Sequence, residues 1–259
     1  MQEDLQKTLI PIYICPSRRG VTRIFNDEFG GELVLTDYAG IHPCTKIKNT
    51  DAEPMDITPG PTTPSGWAVR TVFDKGDMGS ERTPPGNPPP ADSPVQNAAY
   101  DGAIVRSPWM LDEYDDRLQL ASGHFIKGVP HPTKIAKIFD GTSKTLLIAE
   151  KHVRFDLYLE GTASDDRGWT DGWDPDTMRC TCIPPLNDSE YNADYTGAPP
   201  FQDPPSYYNL VIGSAHTGGF NAVFADGSVH SINYDVDIFV LNSQGTRNGT
   251  SMRETSESP

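Results

Sequence analysis

The first candidate for chemistry in this chain is a histidine close to a serine. His216 follows Gly213-Ser214-Ala215, and in a regular strand Ser214 and His216 point to the same side. Such a pair hydrolyses esters or amides when an acidic residue orients the imidazole. The Gly-x-Ser-x-Gly pattern of a nucleophile elbow is absent, and no acidic residue is tied to the pair locally. The sequence therefore favours a structural His216 bonded to the backbone, with a hydrolase using His216 as the alternative.

Two acidic, loop-like segments offer ligands for a hard cation. Calcium takes about six to eight oxygen ligands in a flexible geometry, and loop carboxylates provide them. Neither segment has the spacing of an EF-hand, so solvated loop charge is the alternative to a calcium site. The candidate ligands are Asp171, Asp174, Asp176, Asp188, Glu190 and Asp194.

Two tryptophans lie within the first acidic segment. Trp169 and Trp173 are four residues apart, and each follows a glycine. Exposed indoles would stack on sugar rings, as in an extracellular carbohydrate-binding module, whereas buried indoles would anchor a loop-rich core. The core interpretation is favoured.

Cysteine usage leaves the pairing open. The four cysteines are Cys15, Cys44, Cys180 and Cys182. Cys180 and Cys182 are too close in sequence for a relaxed mutual disulfide in an extended strand. His42, Cys44, Cys180 and Cys182 together would offer four soft metal ligands, but neither pair has the usual zinc spacing. We expect disulfides or buried free thiols.

Charge and composition narrow the class of protein. The 259 residues carry a net charge of −15, which disfavours binding to nucleic acid or to anionic membranes. There are 24 prolines and 23 glycines, which predicts many loops and few long helices. No apolar run approaches the roughly 18 residues of a membrane span, and no export signal is recognisable.

The strongest structural signal is a hairpin that would position His216. Asp226-Gly227 lies between two strand-like runs and predicts a two-residue type I′ turn. That turn would pair Phe224 with Val229, Val223 with His230 and Ala222 with Ser231.

The remaining elements are predicted more coarsely. We expect strands at 9–14 and 32–40, a short helical turn at 111–117, and a second strand–turn–strand unit over 133–150 around Asp140-Gly141. The fold class is α+β, mainly β, an antiparallel sheet with long Pro/Gly-rich loops. We expect residues 1–9 to precede one domain at 10–242, which contains a Pro-rich loop at 83–94, and residues 243–259 to form a flexible tail.

Four segments in order resemble the H-x9-DG family of bacterial proteins, often described as pseudopilin G-like. They are Ile12–Ser17 with Cys-Pro-Ser, Thr36–Gly40 with Tyr-Ala-Gly, Ile138–Glu150 with Asp-Gly-Thr-Ser, and the stretch from His216 to Asp226-Gly227. The resemblance runs from about residue 10 to residue 233 and implies a pseudopilin-like head domain.

The resemblance also implies a function. It points to a non-enzymatic structural protein displayed at the cell envelope, associated with type II secretion or a pilus, whose partners are pilin-like subunits or other copies of itself. Family members assemble through an N-terminal hydrophobic helix; this sequence shows neither that helix nor a leader, so we expect assembly to need a segment that it lacks. Related pseudopilins hold calcium in a C-terminal loop, which adds weight to the acidic segments. The resemblance implies no catalytic residues.

Overall fold

The fold is described from a computed structural model. It describes residues 5–26, 31–43, 102–105, 109–115, 120–125, 133–162, 165–170, 172, 176–181, 183–190 and 211–248. The predicted Pro-rich loop at 83–94 and the end of the predicted tail lie outside these ranges. Within them the chain is mostly sheet with a single longer helix, which confirms the mainly β, α+β class.

A five-stranded sheet forms the centre of the described structure. Its strands are β3 (Tyr38–His42), β6 (Leu146–Glu150), β7 (Met178–Cys180), β10 (Phe220–Phe224) and β11 (Val229–Ile232). The order across the sheet is β11-β10-β6-β3-β7. Neighbours are antiparallel except β3 and β7, which are parallel, so the sheet is mixed where we expected it to be antiparallel.

Shorter strands surround this sheet. Pairs form between β1 (Arg23–Asn26) and β2 (Gly31–Val34), between β4 (Trp109–Asp115) and β5 (Leu120–Phe125), and between β8 (Leu186–Asn187) and β9 (Gly213–Ser214). The first two pairs are antiparallel and the last is parallel.

Alternating burial in β10 explains how the core forms on one face of the sheet. Phe220, Ala222 and Phe224 are buried, whereas the residues between them are half-buried. This period of two places every second side chain on the same face of the strand. The core that they join contains Ile41, Leu146, Ala149, Ile212 and Leu241.

One α-helix covers the core near the end of the described chain. Helix α1 spans Ile238–Gly245, and the Asp237 carboxylate caps it by accepting hydrogen bonds from the backbone N–H groups of Phe239 (2.9 Å) and Val240 (3.1 Å). Leu241 is fully buried against the sheet. The expected start of the tail at residue 243 falls inside this helix, and Thr246 beyond it is also buried.

The Asp226-Gly227 hairpin is confirmed, but its predicted register is wrong by one residue. Val223 lies opposite Val229, rather than His230, and Ala222 lies opposite His230. The Gly227 N–H donates to the Phe224 carbonyl at 2.9 Å, and Gly227 has φ +86°. The loop is therefore three residues long, a turn closed by a left-handed glycine, rather than a two-residue type I′ turn.

Other predicted elements need correction. The expected strand at 9–14 is instead a 3-10 helix, Pro11–Tyr13, because proline at its first position fixes φ near the helical value. The expected helical turn at 111–117 is largely strand β4. Within 133–150, only β6 is a strand; the first half contains the 3-10 helices Ile135–Lys137 and Thr142–Lys144. The single strand expected at 32–40 is divided between β2 and β3.

None of the helices in the described part of the chain has the length and apolar character needed to cross a membrane.

Candidate functional site

Polar side chains from distant parts of the chain converge where β6 ends and β10 begins. Cys15 Sγ lies 3.9 Å from His216 Nε2, and the same nitrogen lies 3.4 Å from Glu150 Oε1. The three donor atoms all lie within 4.8 Å of one another. Tyr38 borders the group, since Cys15 and Glu150 both contribute to the raised pKa of its hydroxyl. We call Cys15, Glu150 and His216 the thiol–carboxylate–imidazole cluster.

Cys15 is held at the end of the N-terminal 3-10 helix. Its backbone N–H donates to Asp37 Oδ2 at 2.8 Å, and the residue is only 2% exposed. Burial raises the pKa of the thiol, a hydrogen bond from the Ser17 backbone opposes this rise, and Glu150 adds to it. Burial likewise raises the pKa of Tyr38 to about 12, with Cys15 as a further cause. The site therefore holds a neutral thiol and a neutral phenol near neutral pH.

Glu150 is the last residue of β6 and is fully buried. Its Oε2 accepts a hydrogen bond from the Asn221 backbone N–H at 2.7 Å, which fixes the carboxylate against β10. Among the described residues, Oε1 has no hydrogen-bond partner of good geometry. The groups that face it are the imidazole of His216 and the thiol of Cys15.

His216 lies just after β9, and its backbone is fixed from two sides. Its carbonyl accepts hydrogen bonds from the Tyr234 hydroxyl (2.7 Å) and Asn187 Nδ2 (2.8 Å). Its N–H donates to Ser214 Oγ at 3.3 Å, and Ser214 is fully buried. The imidazole itself is 37% exposed. Ser214 therefore supports the backbone of His216, and the imidazole faces the cluster and solvent.

A network of buried ion pairs lies next to the cluster. Within the described residues, three cations and three carboxylates contribute, and all six side chains are at most 2% exposed. Buried charges need such pairing to offset their loss of hydration. The pairs are Arg18–Asp37 (3.4 Å), Arg18–Asp188 (2.7 Å), Arg19–Asp37 (3.0 Å), Arg19–Asp165 and Lys151–Asp165 (2.8 Å).

The network shifts the pKa values of its members. Burial alone would lower the pKa of Arg18, but Asp188 and Asp37 raise it above the usual value. Burial alone would raise the pKa of Asp165, but Lys151 and Arg19 hold it well below the usual range. Both groups therefore remain charged, and the network fixes the segment that carries Cys15.

The candidate calcium ligands do not gather in one place within the described residues. Both oxygens of Asp188 accept hydrogen bonds from protein donors, among them Arg18, Tyr158 and the Val153 backbone. Asp176 is buried and accepts from the backbone N–H groups of residues 167 and 168. Glu190 accepts from the backbone of residue 187. Asp171, Asp174 and Asp194 lie outside the described residues, so the calcium site stays a prediction.

Some of the tryptophans and cysteines named as candidates lie within the described residues. Trp169 is half-buried, and its indole N–H donates to the Thr8 carbonyl at 3.2 Å. Cys15 is a free thiol in the cluster, and Cys180 is buried in β7 opposite His42. Trp173, Cys44 and Cys182 lie outside the described residues.

Sequence reasoning placed His216 in the family motif but did not connect it with Glu150, Tyr38 or Cys15. A signal was present: each of the four family-like segments supplies one of these side chains. Thiol, carboxylate and imidazole groups at these distances can exchange protons or bind a metal ion. The exposed family residues Asp226 and Gly227 lie in the turn, and Asp226 Oδ1 accepts from the Ser228 N–H at 2.9 Å.

Comparison with known proteins gives a family. Residues 1–238 match a family described as protein of unknown function (DUF1559). The chain belongs to this family, because the match covers most of its length. No curated protein and no solved structure gives a significant match.

Proposed function

We propose that this member of the DUF1559 family is a non-enzymatic structural protein of the bacterial cell envelope. It would be the head domain of a pseudopilin-like subunit in a secretion- or pilus-type assembly. The observation that carries the proposal is the position of the family-like segments in the central sheet. Tyr38–Gly40 begins β3, Leu146–Glu150 is β6, and Asp226-Gly227 closes the hairpin of β10 and β11. Three of the four family-like segments therefore contribute a strand or the turn of the hairpin to the central sheet.

The partners would be pilin-like subunits or other copies of this chain. Several large apolar side chains near the N-terminus are exposed, among them Ile12 (79%) and Phe25 (72%). Exposed apolar side chains are candidates for contacts between subunits. In a pseudopilin-like assembly the N-terminal part of the head lies next to the helix that packs in the fibre, so these side chains would contact neighbouring subunits.

The proposal is tested in the bacterium that produces the protein. An antiserum against this chain should detect it in the envelope or sheared surface fraction, and chemical cross-linking should give a ladder of subunits. Ile12→Asp and Phe25→Asp should weaken that ladder, whereas the matched control Leu159→Asp, which is 72% exposed, should not. Detection in the cytosol alone, or a ladder unaffected by the N-terminal variants, would contradict the proposal.

A further inference from the structure

We propose that Cys15, Glu150 and His216 bind a divalent transition-metal ion, with Zn²⁺ the best suited, and leave one position open to water. The inference does not depend on the proposed structural role. Thiolate, imidazole and carboxylate are all zinc ligands, and three protein ligands with one open position are typical of an accessible zinc site. Calcium and magnesium prefer oxygen ligands alone, so a thiol in the set argues against them.

The distances fit a single ion between the three side chains. In a tetrahedral zinc site, ligand bonds of about 2.0–2.3 Å place a nitrogen and an oxygen about 3.3 Å apart and a sulfur and a nitrogen about 3.6 Å apart. The observed separations are 3.4 Å between His216 Nε2 and Glu150 Oε1, and 3.9 Å between Cys15 Sγ and the same Nε2. Small side-chain movements would bring the sulfur into range.

The buried carboxylate supplies an independent reason for a cation. Glu150 is fully buried; Asn221 satisfies Oε2, whereas Oε1 has no hydrogen-bond partner of good geometry among the described residues. The imidazole and the thiol that face Oε1 do not give it a well-aligned hydrogen bond, which is costly for a buried carboxylate, and a metal ion at the cluster would satisfy this oxygen. The neighbouring cation Arg18 is already engaged by Asp37 and Asp188.

Charge balance also favours a dication. On binding, the Cys15 thiol releases its proton to solvent, and the thiolate and the Glu150 carboxylate together contribute two negative charges. These neutralise the charge of Zn²⁺, while His216 binds as the neutral imidazole.

The surrounding structure holds the ligands before the ion arrives. Asp37 accepts from the Cys15 N–H, Asn221 fixes Glu150, and Tyr234 holds the carbonyl of His216. Such supporting hydrogen bonds orient metal ligands and increase affinity. The partly exposed imidazole leaves a path for the ion from solvent and a free side for water.

The test is metal binding by the purified chain after treatment with a chelator. Titration with Zn²⁺ against a competing indicator should give one tight site. Co²⁺ should bind in its place with a thiolate-to-cobalt charge-transfer band in the near ultraviolet. Cys15→Ser, Glu150→Gln and His216→Gln should each weaken Zn²⁺ binding about a hundredfold or more, because each removes a ligand. Cys15→Ser should also abolish the charge-transfer band.

Matched controls separate this site from other metal binding. His230→Gln removes an exposed imidazole on the hairpin and should leave Zn²⁺ affinity unchanged. Circular dichroism should show that each variant is folded, and Zn²⁺ should raise the melting temperature of the wild type but not of the cluster variants. No bound metal in the wild type would overturn the proposal. So would tight Zn²⁺ binding and a cobalt band that survive in folded Cys15→Ser and His216→Gln variants.

Discussion

Arg18 and Asp188 form a buried ion pair, with 2.7 Å between Nε and Oδ2, although 170 positions separate them in the sequence. The guanidinium also reaches Asp37, whose carboxylate accepts from the Cys15 N–H. A single cation therefore joins the loop after β8 to the segment that presents the thiol. The position of the cluster depends on this long-range pair.

Loss of the Asp188 carboxylate charge should destabilise the protein strongly. Asp188→Asn keeps the shape of the side chain but leaves Arg18 with one buried carboxylate partner fewer. Breaking a buried pair in this way costs about 3–5 kcal/mol. Urea unfolding should show this loss in the free energy of unfolding.

A matched control uses an exposed pair of the same type. Arg154 Nη2 and Asp156 Oδ2 are 2.6 Å apart, with side chains 27% and 49% exposed. Asp156→Asn should cost less than about 1 kcal/mol, because solvent screens exposed pairs. Equal effects for the two variants would show that the Arg18–Asp188 pair is not buried in solution.

Acid should destabilise the fold through two buried histidines. Burial lowers the pKa of His42 and of His152 to about 4. The unfolded chain takes up these protons near pH 6.5, whereas the folded chain does not until about pH 4. The free energy of unfolding should therefore fall as pH falls through this window, by about 3 kcal/mol for each histidine.

The measurement is urea unfolding of the wild type and His42→Gln from pH 7.5 to pH 4. The expected result is a smaller loss of stability on acidification in the variant. Parallel curves for the two proteins would show that His42 takes up its proton equally in the folded and unfolded states. The comparison of slopes isolates His42, since all other groups titrate in both proteins.

Asp176 should make the fold less stable as pH rises, which is opposite to the effect of the two histidines. Burial raises its pKa to about 7, although Lys151 opposes the shift. Between about pH 4 and pH 7 the folded state then binds a proton that the unfolded state has released, so this group stabilises the fold less as pH rises. In Asp176→Asn that dependence is lost, and Oδ1 can still accept from the backbone N–H groups of residues 167 and 168.

Relative to the wild type, the free energy of unfolding of Asp176→Asn should therefore rise by about 4 kcal/mol between pH 4 and pH 7.5. Unfolding in urea at a series of pH values measures it. A difference that stays constant across this range would mean that Asp176 is ionised in the folded protein throughout.

Local sequence predicted the hairpin but not its register. Asp-Gly between strand-like runs signals a reversal whichever turn forms, so the two strands were correctly expected. The choice between a two- and a three-residue loop depends on whether one or two residues adopt positive φ, and both choices use the same residue types. In the structure Ser228 bonds to Asp226, and this contact accompanies the longer loop. A slip of one residue changed every predicted pair.

The candidate site was not predictable from spacing, because its members are separated by long stretches of chain. Cys15 and His216 are 201 positions apart, and they meet because β3, β6 and β10 lie side by side and Asp37 holds the backbone of Cys15. The role of an individual acidic residue was not predictable from the sequence for a related reason. In the sequence, Asp188 is a carboxylate of the type that binds calcium. In the structure, it forms an ion pair with the distant cation Arg18.

Two adjacent glycines of the H-x9-DG segment should respond very differently to alanine. A Cβ on Gly219 would lie 2.1 Å from the carbonyl oxygen of Ile232 and 2.8 Å from its carbon, whereas a Cβ on Gly218 would meet nothing within 4 Å. The atoms in the way belong to the backbone, so they cannot rotate aside. Because β10 and β11 pair through Phe220 and Ile232, relieving the overlap must disturb the end of the hairpin.

Gly219→Ala should therefore lower the free energy of unfolding by about 3 kcal/mol, near the upper end for added volume in a packed region. Gly218→Ala should change it by less than about 1 kcal/mol, because only the flexibility of the unfolded chain is affected. Urea unfolding of the two variants beside the wild type provides the comparison. The sequence offers no way to distinguish these neighbours, so equal effects would show that β11 does not approach Gly219 as closely as the structure indicates.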